Sequence, residues 1–267
     1  MSQVVFITGG SSGIGKAVGE FLHNKGYKVY GTSRDHSVYP NSVFPLIDMN
    51  LSKPQTISQA IAELIRLEGK IDILINNAGV GITGPLEETP IEEVHYAMQV
   101  NFYGPIQVIN AVLPHMRKQK KGRIINITSI AGYMGLPYRG IYSASKGALG
   151  IVTETYRMEL HSFGIEMCSV APGDFATNIA AGRYHAPVLD HSPYKDIYAE
   201  SLKMMDEHVD AGSDPRQMAE AIYKILQKKK WKVHYKVGDS LQKISTILKR
   251  ILPDTIYERM LSKHYKV

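Results

Sequence analysis

Tyr142 and Lys146 stand four residues apart in the stretch "IYSASKGALG". Residues so spaced on a helix are neighbours. A phenol is a poor acid or base near neutrality, with a reference pKa of about 10. A nearby ammonium stabilises the phenolate and makes the hydroxyl a better proton donor. The pair therefore suits a reaction that moves one proton on or off an oxygen. A second chemical passage, "FITGGSSGIG", lies near the N-terminus and carries the spaced glycines Gly9, Gly13 and Gly15. Glycine permits a tight turn and lets a pyrophosphate approach the N–H groups at a helix N-terminus. Ser11 and Ser12 add hydroxyl donors, and Ile14 opens the helix. No Gly-Lys-Ser/Thr follows, so the passage is not a P-loop.

About twenty residues further on, a second strand ends in "GTSRD". An acid at that place holds the adenosine ribose hydroxyls of NAD, whereas an arginine accommodates the 2′-phosphate of NADP. Ser33 occupies the acid's place and Arg34 follows it. A guanidinium grips a phosphate through two parallel hydrogen bonds, so the expected cofactor is NADP(H), with NAD(H) the weaker alternative. Asp35, swinging back to a ribose diol, is the rival to Arg34.

The elements that must position these residues follow from hydrophobic periodicity. "QVVFIT", "YKVYGTS", "VFPLIDM", "KIDILIN", "GRIINITS", "IEMCSVA" and "WKVHYKV" read as strands, with apolar runs suited to burial on both faces. Helical spacing fills the intervals between them, including one long run from Ile91 to Gln119. Such alternation implies an α/β fold: a Rossmann-like doubly wound parallel sheet flanked by helices, forming a single domain over residues 1–267. Residues 178–214 break the rhythm and read as an inserted substrate loop or lid, with a helix around Tyr198–Met205. Residues 238–267 read as a basic helical C-terminal extension. There, Leu241, Ile244, Ile247, Leu248 and Ile251 form one stripe, Pro253 ends the first helix, and Asp254 is placed to cap the next.

Taken with "NNAG" at Asn76–Gly79 and "PGDFAT" at Pro172–Thr177, these passages resemble the short-chain dehydrogenase/reductase family. The resemblance runs from Val4 to about Thr177 by motif and to about Val237 by element order. It implies a seven-stranded parallel sheet, a nicotinamide cofactor and carbonyl–alcohol interconversion by hydride transfer. By the same resemblance, Ser129 in "NITSIAG" is the catalytic serine, Tyr142 the general acid/base, Lys146 its partner and Asn101 the proton-relay asparagine. Asp48 and Met49 then lie by the adenine. Asn77, Ala78 and Gly79 line the cofactor, and Pro172, Gly173, Phe175 and Thr177 hold its nicotinamide end. The basic extension replaces the ending typical of 3-oxoacyl reductases. This looks more like the branch related to 17β-hydroxysteroid and retinol dehydrogenases. An NADPH-binding regulator with little turnover and a 3-oxoacyl reductase stay open as alternatives.

Pro105 lacks the N–H that would bond the Asn101 carbonyl if both lie on one helix. A kink there is expected to free that carbonyl for a proton path. Tyr133, Tyr138 and Tyr184 are expected, with Ser129 and Tyr142, to edge a substrate pocket. An aromatic lining of this kind suits a hydrophobic ketone or aldehyde.

The 267 residues carry a net charge of +6, unevenly placed. Lys224–Val267 holds twelve basic and three acidic residues, which leaves the rest of the chain at −3. That tail leaves a membrane surface open as a partner without favouring it. Nothing suggests nucleic acid, and no Cys/His spacing suggests a metal. The single cysteine, Cys168, excludes an internal disulfide and fits a reducing cytoplasmic compartment. No signal peptide is read at the N-terminus, and the resemblance implies a homo-dimer or homo-tetramer.

Overall fold

The computed structural model describes residues 2–176, 182–210 and 212–267. The first half of the chain alternates β1 (Val4–Ile7), α1 (Gly13–Asn24), β2 (Lys28–Ser33), β3 (Leu46–Asp48), α2 (Pro54–Glu68), β4 (Ile73–Asn76), β5 (Ile82–Thr83), α3 (Ile91–Met98) and α4 (Gly104–Gln119). The second half runs through β6 (Gly122–Ile127), α5 (Gly140–Glu159), β7 (Ile165–Pro172), β8 (Tyr184–His185), α6 (Lys195–Asp210), α7 (Pro215–Leu226), β9 (His234–Val237), α8 (Ser240–Ile251) and α9 (Asp254–Tyr265). Seven strands form one sheet in the order β3-β2-β1-β4-β6-β7-β9, with every pairing parallel.

Period-two alternation divides each central strand between two cores. Val4 and Phe6 of β1 face one way and pack with α2 and α4 through Ile57, Leu64, Val108 and Val112. Val5 and Ile7 face the other way and meet α1 and α7 through Val18, Leu22, Met218 and Ile222. Cover on both faces explains why the strands read as continuous apolar runs. Helix boundaries follow local chemistry. Pro54 stands in the first turn of α2 and Gly69 closes it with φ +69°. Asp214 caps α7 by accepting from the Arg216 N–H at 2.8 Å, and Pro215 follows at the start of the helix.

Winding reverses between β1 and β4. A crevice opens at such a reversal, beyond the C-terminal ends of the strands. The glycine-rich turn after β1, the end of β2 and the end of β4 all meet there.

Four details differ from the expectations. The run from Ile91 to Gln119 contains one π-helical turn, Gln99–Tyr103. Pro105 has no N–H to return to the Asn101 carbonyl, and the hydrogen-bond register widens there, with Gly104 N–H reaching back to Gln99. Asp254 does not cap α9. Pro253 occupies the cap position, and Asp254 is the first helical residue, its carboxylate paired with Lys249 at 2.6 Å. The insertion contributes a second, two-stranded sheet, β5 with β8, and α6 is anchored by Tyr198, which is buried. Finally, the C-terminal extension is not a free tail. Tyr257 packs with Ile130 and Met134, and Leu248, Leu252 and Leu261 lie against the same cluster.

Candidate active site

The crevice at the β1/β4 reversal is a cleft of ≈ 370 Å³. Its floor comes from Gly9, Ser11, Ser12, Gly13 and Ile14, where the first N–H groups of α1 lie. Gly9 and Gly13 hold φ of +66° and +52°, a backbone that L side chains rarely adopt. Partly buried hydrogen bonds fix the turn. The Thr8 hydroxyl accepts from the N–H groups of both Asn77 and Ala78 at 3.0 Å, and the Asn77 amide donates to the carbonyls of Thr8 and Gly9 at 3.0 and 3.1 Å. Asn77 thus faces the cleft while its side chain ties β4 to the glycine turn. Gly15 does not line the cleft. A Cβ there would stand 2.2 Å from the Gly9 carbonyl oxygen, so this glycine lets α1 close on the turn.

Ser33, Arg34 and Met49 line the far end of the cleft. The Asp35 carboxylate is engaged, accepting from Ser37 N–H at 2.9 Å and from Ser37 Oγ at 2.6 Å. These contacts hold its carboxyl below the usual range. Arg34 is exposed and takes part in no hydrogen bond or ion pair among the described residues. Asp48, expected beside the adenine, is absent from the cleft wall. Its carboxylate accepts from the His36 N–H at 2.7 Å and lies 2.9 Å from His36 Nδ1, so it is drawn to the surface. Thr32, Tyr39 and Tyr96 line the cleft without having been singled out from the sequence, because each reads there as an ordinary strand, loop or helix residue.

At its other end the cleft passes Lys146, Tyr142 and Pro172 and adjoins a smaller cavity of ≈ 70 Å³. Ser129, Tyr142, Pro172, Gly173 and Phe175 line that cavity. Thr177 lies outside the described residues. Ser129 leads into a turn of 3₁₀ helix and accepts from the Ala131 N–H at 3.1 Å. Ser129 and Tyr142 line the small cavity together, and the Ser129 hydroxyl stands near enough to lower the pKa of the phenol. A close backbone approach brings the two segments together. A Cβ on Gly132 would stand 2.9 Å from Gly147 N and from Lys146 C, and one on Gly147 would stand 2.8 Å from the Gly132 carbonyl oxygen. Gly132→Ala is accordingly expected to push the Ser129 turn off α5. Displacement of a catalytic group by about 1 Å costs on the order of 10²-fold in rate. Steady-state kcat and Tm of the variant, measured together, check this. Full kcat would show that the turn tolerates the side chain.

Burial around the Tyr142 hydroxyl pushes the phenol above its ordinary value. The groups that pull it back are the Arg139 guanidinium, the Ser129 hydrogen bond and the Arg183 guanidinium, while Asp174 pushes it further up. Lys146 was expected to be the charge acting on Tyr142. Here its Nζ donates to the Ile127 carbonyl at 3.1 Å, and burial pushes its ammonium down to about 8. Arg139 lies instead across the Tyr142 ring, with its guanidinium carbon 5.9 Å from the ring centroid. Arg139, Arg183 and Asp174 line the small cavity, and their roles were not foreseen. Their neighbours in sequence read as loops. The Tyr265 hydroxyl, from the last helix, is hydrogen-bonded to Arg139, and Gln242 of α8 donates to Asp174 Oδ2 at 2.6 Å.

Asn101 is wholly buried. Its amide donates to the Val80 carbonyl at 2.9 Å and to Ser145 Oγ at 3.2 Å, and its Oδ1 accepts from the Val80 N–H at 2.8 Å. The side chain is thereby committed to the loop after β4, behind Gly79. The expected aromatic lining of the substrate pocket is not what the structure shows. Tyr133 lies under Lys236, with Nζ 4.7 Å from its ring centroid, and edge-on to His234. Tyr138 packs on Tyr198, ring centroids 5.1 Å apart. Tyr184 is spent in the small sheet, opposite Ile82. Tyr133 and Tyr138 take these partners from β9 and α6, Tyr184 lies in β8, and none of the three lines the small cavity.

The residues present fit a dinucleotide: an unblocked helix N-terminus and glycine turn, a partner-free guanidinium at one end, and a hydroxyl pair beside a buried lysine at the other. Comparison with known proteins agrees. A chain from Bacteroides thetaiotaomicron described as 3-ketodihydrosphingosine reductase is 40% identical, with 99% of this chain and 98% of that one aligned. The solved structure of a short-chain dehydrogenase from Streptomyces avermitilis superposes with a TM-score of 0.82 at 28% identity, covering 100% of this chain and 96% of the other. A metagenomic short-chain oxidoreductase in complex with NADP superposes at 0.69 with 25% identity, covering 89% and 97%. The family model described as short chain dehydrogenase matches residues 3–187, and the chain belongs to the short-chain dehydrogenase/reductase family of oxidoreductases.

Proposed function

We propose that this chain is an NADP(H)-dependent reductase of a ketone borne on a hydrophobic chain, of the 3-ketodihydrosphingosine type. The observation that carries the reading is the meeting of Ser129, Tyr142 and Lys146 where the long cleft joins the small cavity. The relative of 40% identity supports the ketone class. Arg34, exposed at the cleft's far end while Asp35 is engaged, supports the 2′-phosphorylated cofactor.

The glycine turn and the N-terminus of α1 would hold the pyrophosphate, and Arg34 the 2′-phosphate. When bound, the nicotinamide supplies the hydride for the carbonyl carbon. Ser129 then donates a hydrogen bond to the carbonyl oxygen, fixing it beside the Tyr142 hydroxyl. Tyr142, kept neutral by burial, is in the protonation state a donor needs, and gives its proton to that oxygen. Arg139 and Arg183 favour the phenolate left behind. Proton return runs by way of Lys146. The relay role of Asn101 falls to its backbone carbonyl in the π-helical turn, since its side chain is spent on Val80 and Ser145. A cavity carrying two guanidiniums and a carboxylate suits a polar group next to the ketone, with the hydrophobic chain leading outward.

The test is one assay with NADPH and NADH over 3-ketodihydrosphingosine, a simple aliphatic ketone and an acetoacetyl thioester. The sphingoid ketone is expected to give the highest kcat/KM, and only with NADPH. A higher value for the thioester would assign a 3-oxoacyl substrate instead.

A further inference from the structure

Helix α8 is inside out. Its protein-facing side is largely polar. Thr246 is 1% exposed and receives a hydrogen bond from Lys236, and Gln242 is turned inward onto Asp174. Its solvent-facing side is an apolar stripe, with Leu241 75%, Ile244 46%, Ile247 50% and Ile251 72% exposed. A helix that meets only water puts these faces the other way round, and a contiguous exposed apolar stripe marks a surface made for something else. The sequence alone gives the stripe but not the side it faces. Tertiary structure turns it out, because Leu248 and Leu252 alone reach the Ile130–Met134 cluster while Gln242 and Thr246 find polar partners.

Charge identifies the occupant. Within α8 stand Lys243, Lys249 and Arg250 and no acid. Of the three acids after Lys224, Asp239 is spent capping α8 and Asp254 pairs with Lys249. A second copy meeting this face about a two-fold axis would bring basic residues against basic residues. An anionic lipid surface answers both features, with acyl chains for the stripe and headgroups for the lysines.

We propose that α8 lies in the interfacial layer of an anionic bilayer, with Leu241, Ile244, Ile247 and Ile251 buried among the lipids. Gln242, on the opposite side of α8, holds Asp174 at the small cavity, so this attachment keeps the cavity within one helix of the lipid surface, where an amphiphilic substrate resides. The attachment itself does not depend on which carbonyl is reduced.

The full chain is mixed with vesicles of phosphatidylcholine containing about one-third phosphatidylglycerol, and with pure phosphatidylcholine vesicles, and floated on a density gradient. It is expected to float with the anionic vesicles only, and less so as salt rises from about 0.1 M to about 0.5 M. The triple substitution Leu241→Ser, Ile244→Ser, Ile247→Ser is expected to lower the bound fraction about tenfold or more while leaving NADPH-linked turnover of a small soluble ketone unchanged. A second variant, Lys243→Glu with Arg250→Glu, should weaken binding to the anionic vesicles. Three results would overturn the proposal: wild type that stays in solution with anionic vesicles, a triple variant that floats like wild type, or sedimentation showing that the triple substitution dissociates a dimer.

Discussion

Tyr142→Phe is expected to lower kcat for carbonyl reduction by about 10²–10⁴-fold, the usual contribution of a positioned general acid. NADPH affinity, read by quenching or enhancement of its fluorescence, should stay within about twofold of wild type, because the ring that walls the cleft is kept. The substitution removes one hydroxyl, which stands against Ser129 and under the influence of Arg139 and Arg183. An unchanged kcat would mean that the proton comes from elsewhere, and the reading of the site would fail. The pH profile carries the electrostatic part. Burial raises the phenol and Arg139 pulls it down, so Arg139→Gln should raise it further. Reduction needs the neutral phenol, and its alkaline limb should therefore move to higher pH in that variant. Alcohol oxidation needs the phenolate and should rise only at higher pH than in wild type. A shift of either limb to lower pH would remove Arg139 from the account.

Arg34→Ala is expected to reduce kcat/KM for NADPH by about 10–10²-fold while changing that for NADH by less than about threefold. Hydrogen bonds to charged groups contribute roughly 1.5–3 kcal/mol, and a guanidinium offers a phosphate two in parallel. The expectation rests on two observations: the Asp35 carboxylate is engaged by Ser37, and Arg34 lines the cleft. Equal losses with both cofactors would show that Arg34 supports the cleft without reading the 2′-phosphate. Better use of NADH by wild type would overturn the assignment outright.

Most of the sheet was legible because its residues answer to short-range rules. The seven runs from "QVVFIT" to "WKVHYKV" are the seven strands found, and the central β1 and β4 are nearly all apolar because both their faces are buried. The glycine turn was legible for a similar reason. Gly9 and Gly13 need a backbone conformation that few other residues accept, so their identities report local geometry. Pro105 announced a disturbance in its helix, although not that the disturbance would take the form of a π-helical turn.

Asp48 and the pocket tyrosines were misread for the opposite reason. A carboxylate at the end of β3 can face a cleft or a neighbouring histidine, and His36 decided it. Tyr133, Tyr138 and Tyr184 lie near the reactive pair in sequence or by motif, yet ring direction depends on β9, α6 and β5. The charged groups around Tyr142 come from three separate segments, Arg139 before α5, Asp174 after β7 and Arg183 before β8, and Tyr265 at the end of α9 stands by Arg139. No spacing rule joins them, because their meeting depends on how the insertion and the extension fold back over the sheet.

The amino-acid sequence by itself determined the strand and helix succession, the glycine-rich turn after β1, and the placement of Tyr142 and Lys146 on one helix face. Each of these depends on steric and hydrophobic preferences acting over a few residues. Tertiary structure alone decided which charge stands by the phenol, and that Lys146 would turn to the Ile127 carbonyl instead. It also decided which face of α8 meets the solvent. Long-range packing settles such choices, since a side chain's partner is whatever the fold brings within a few ångströms, and burial then sets how strongly the two interact.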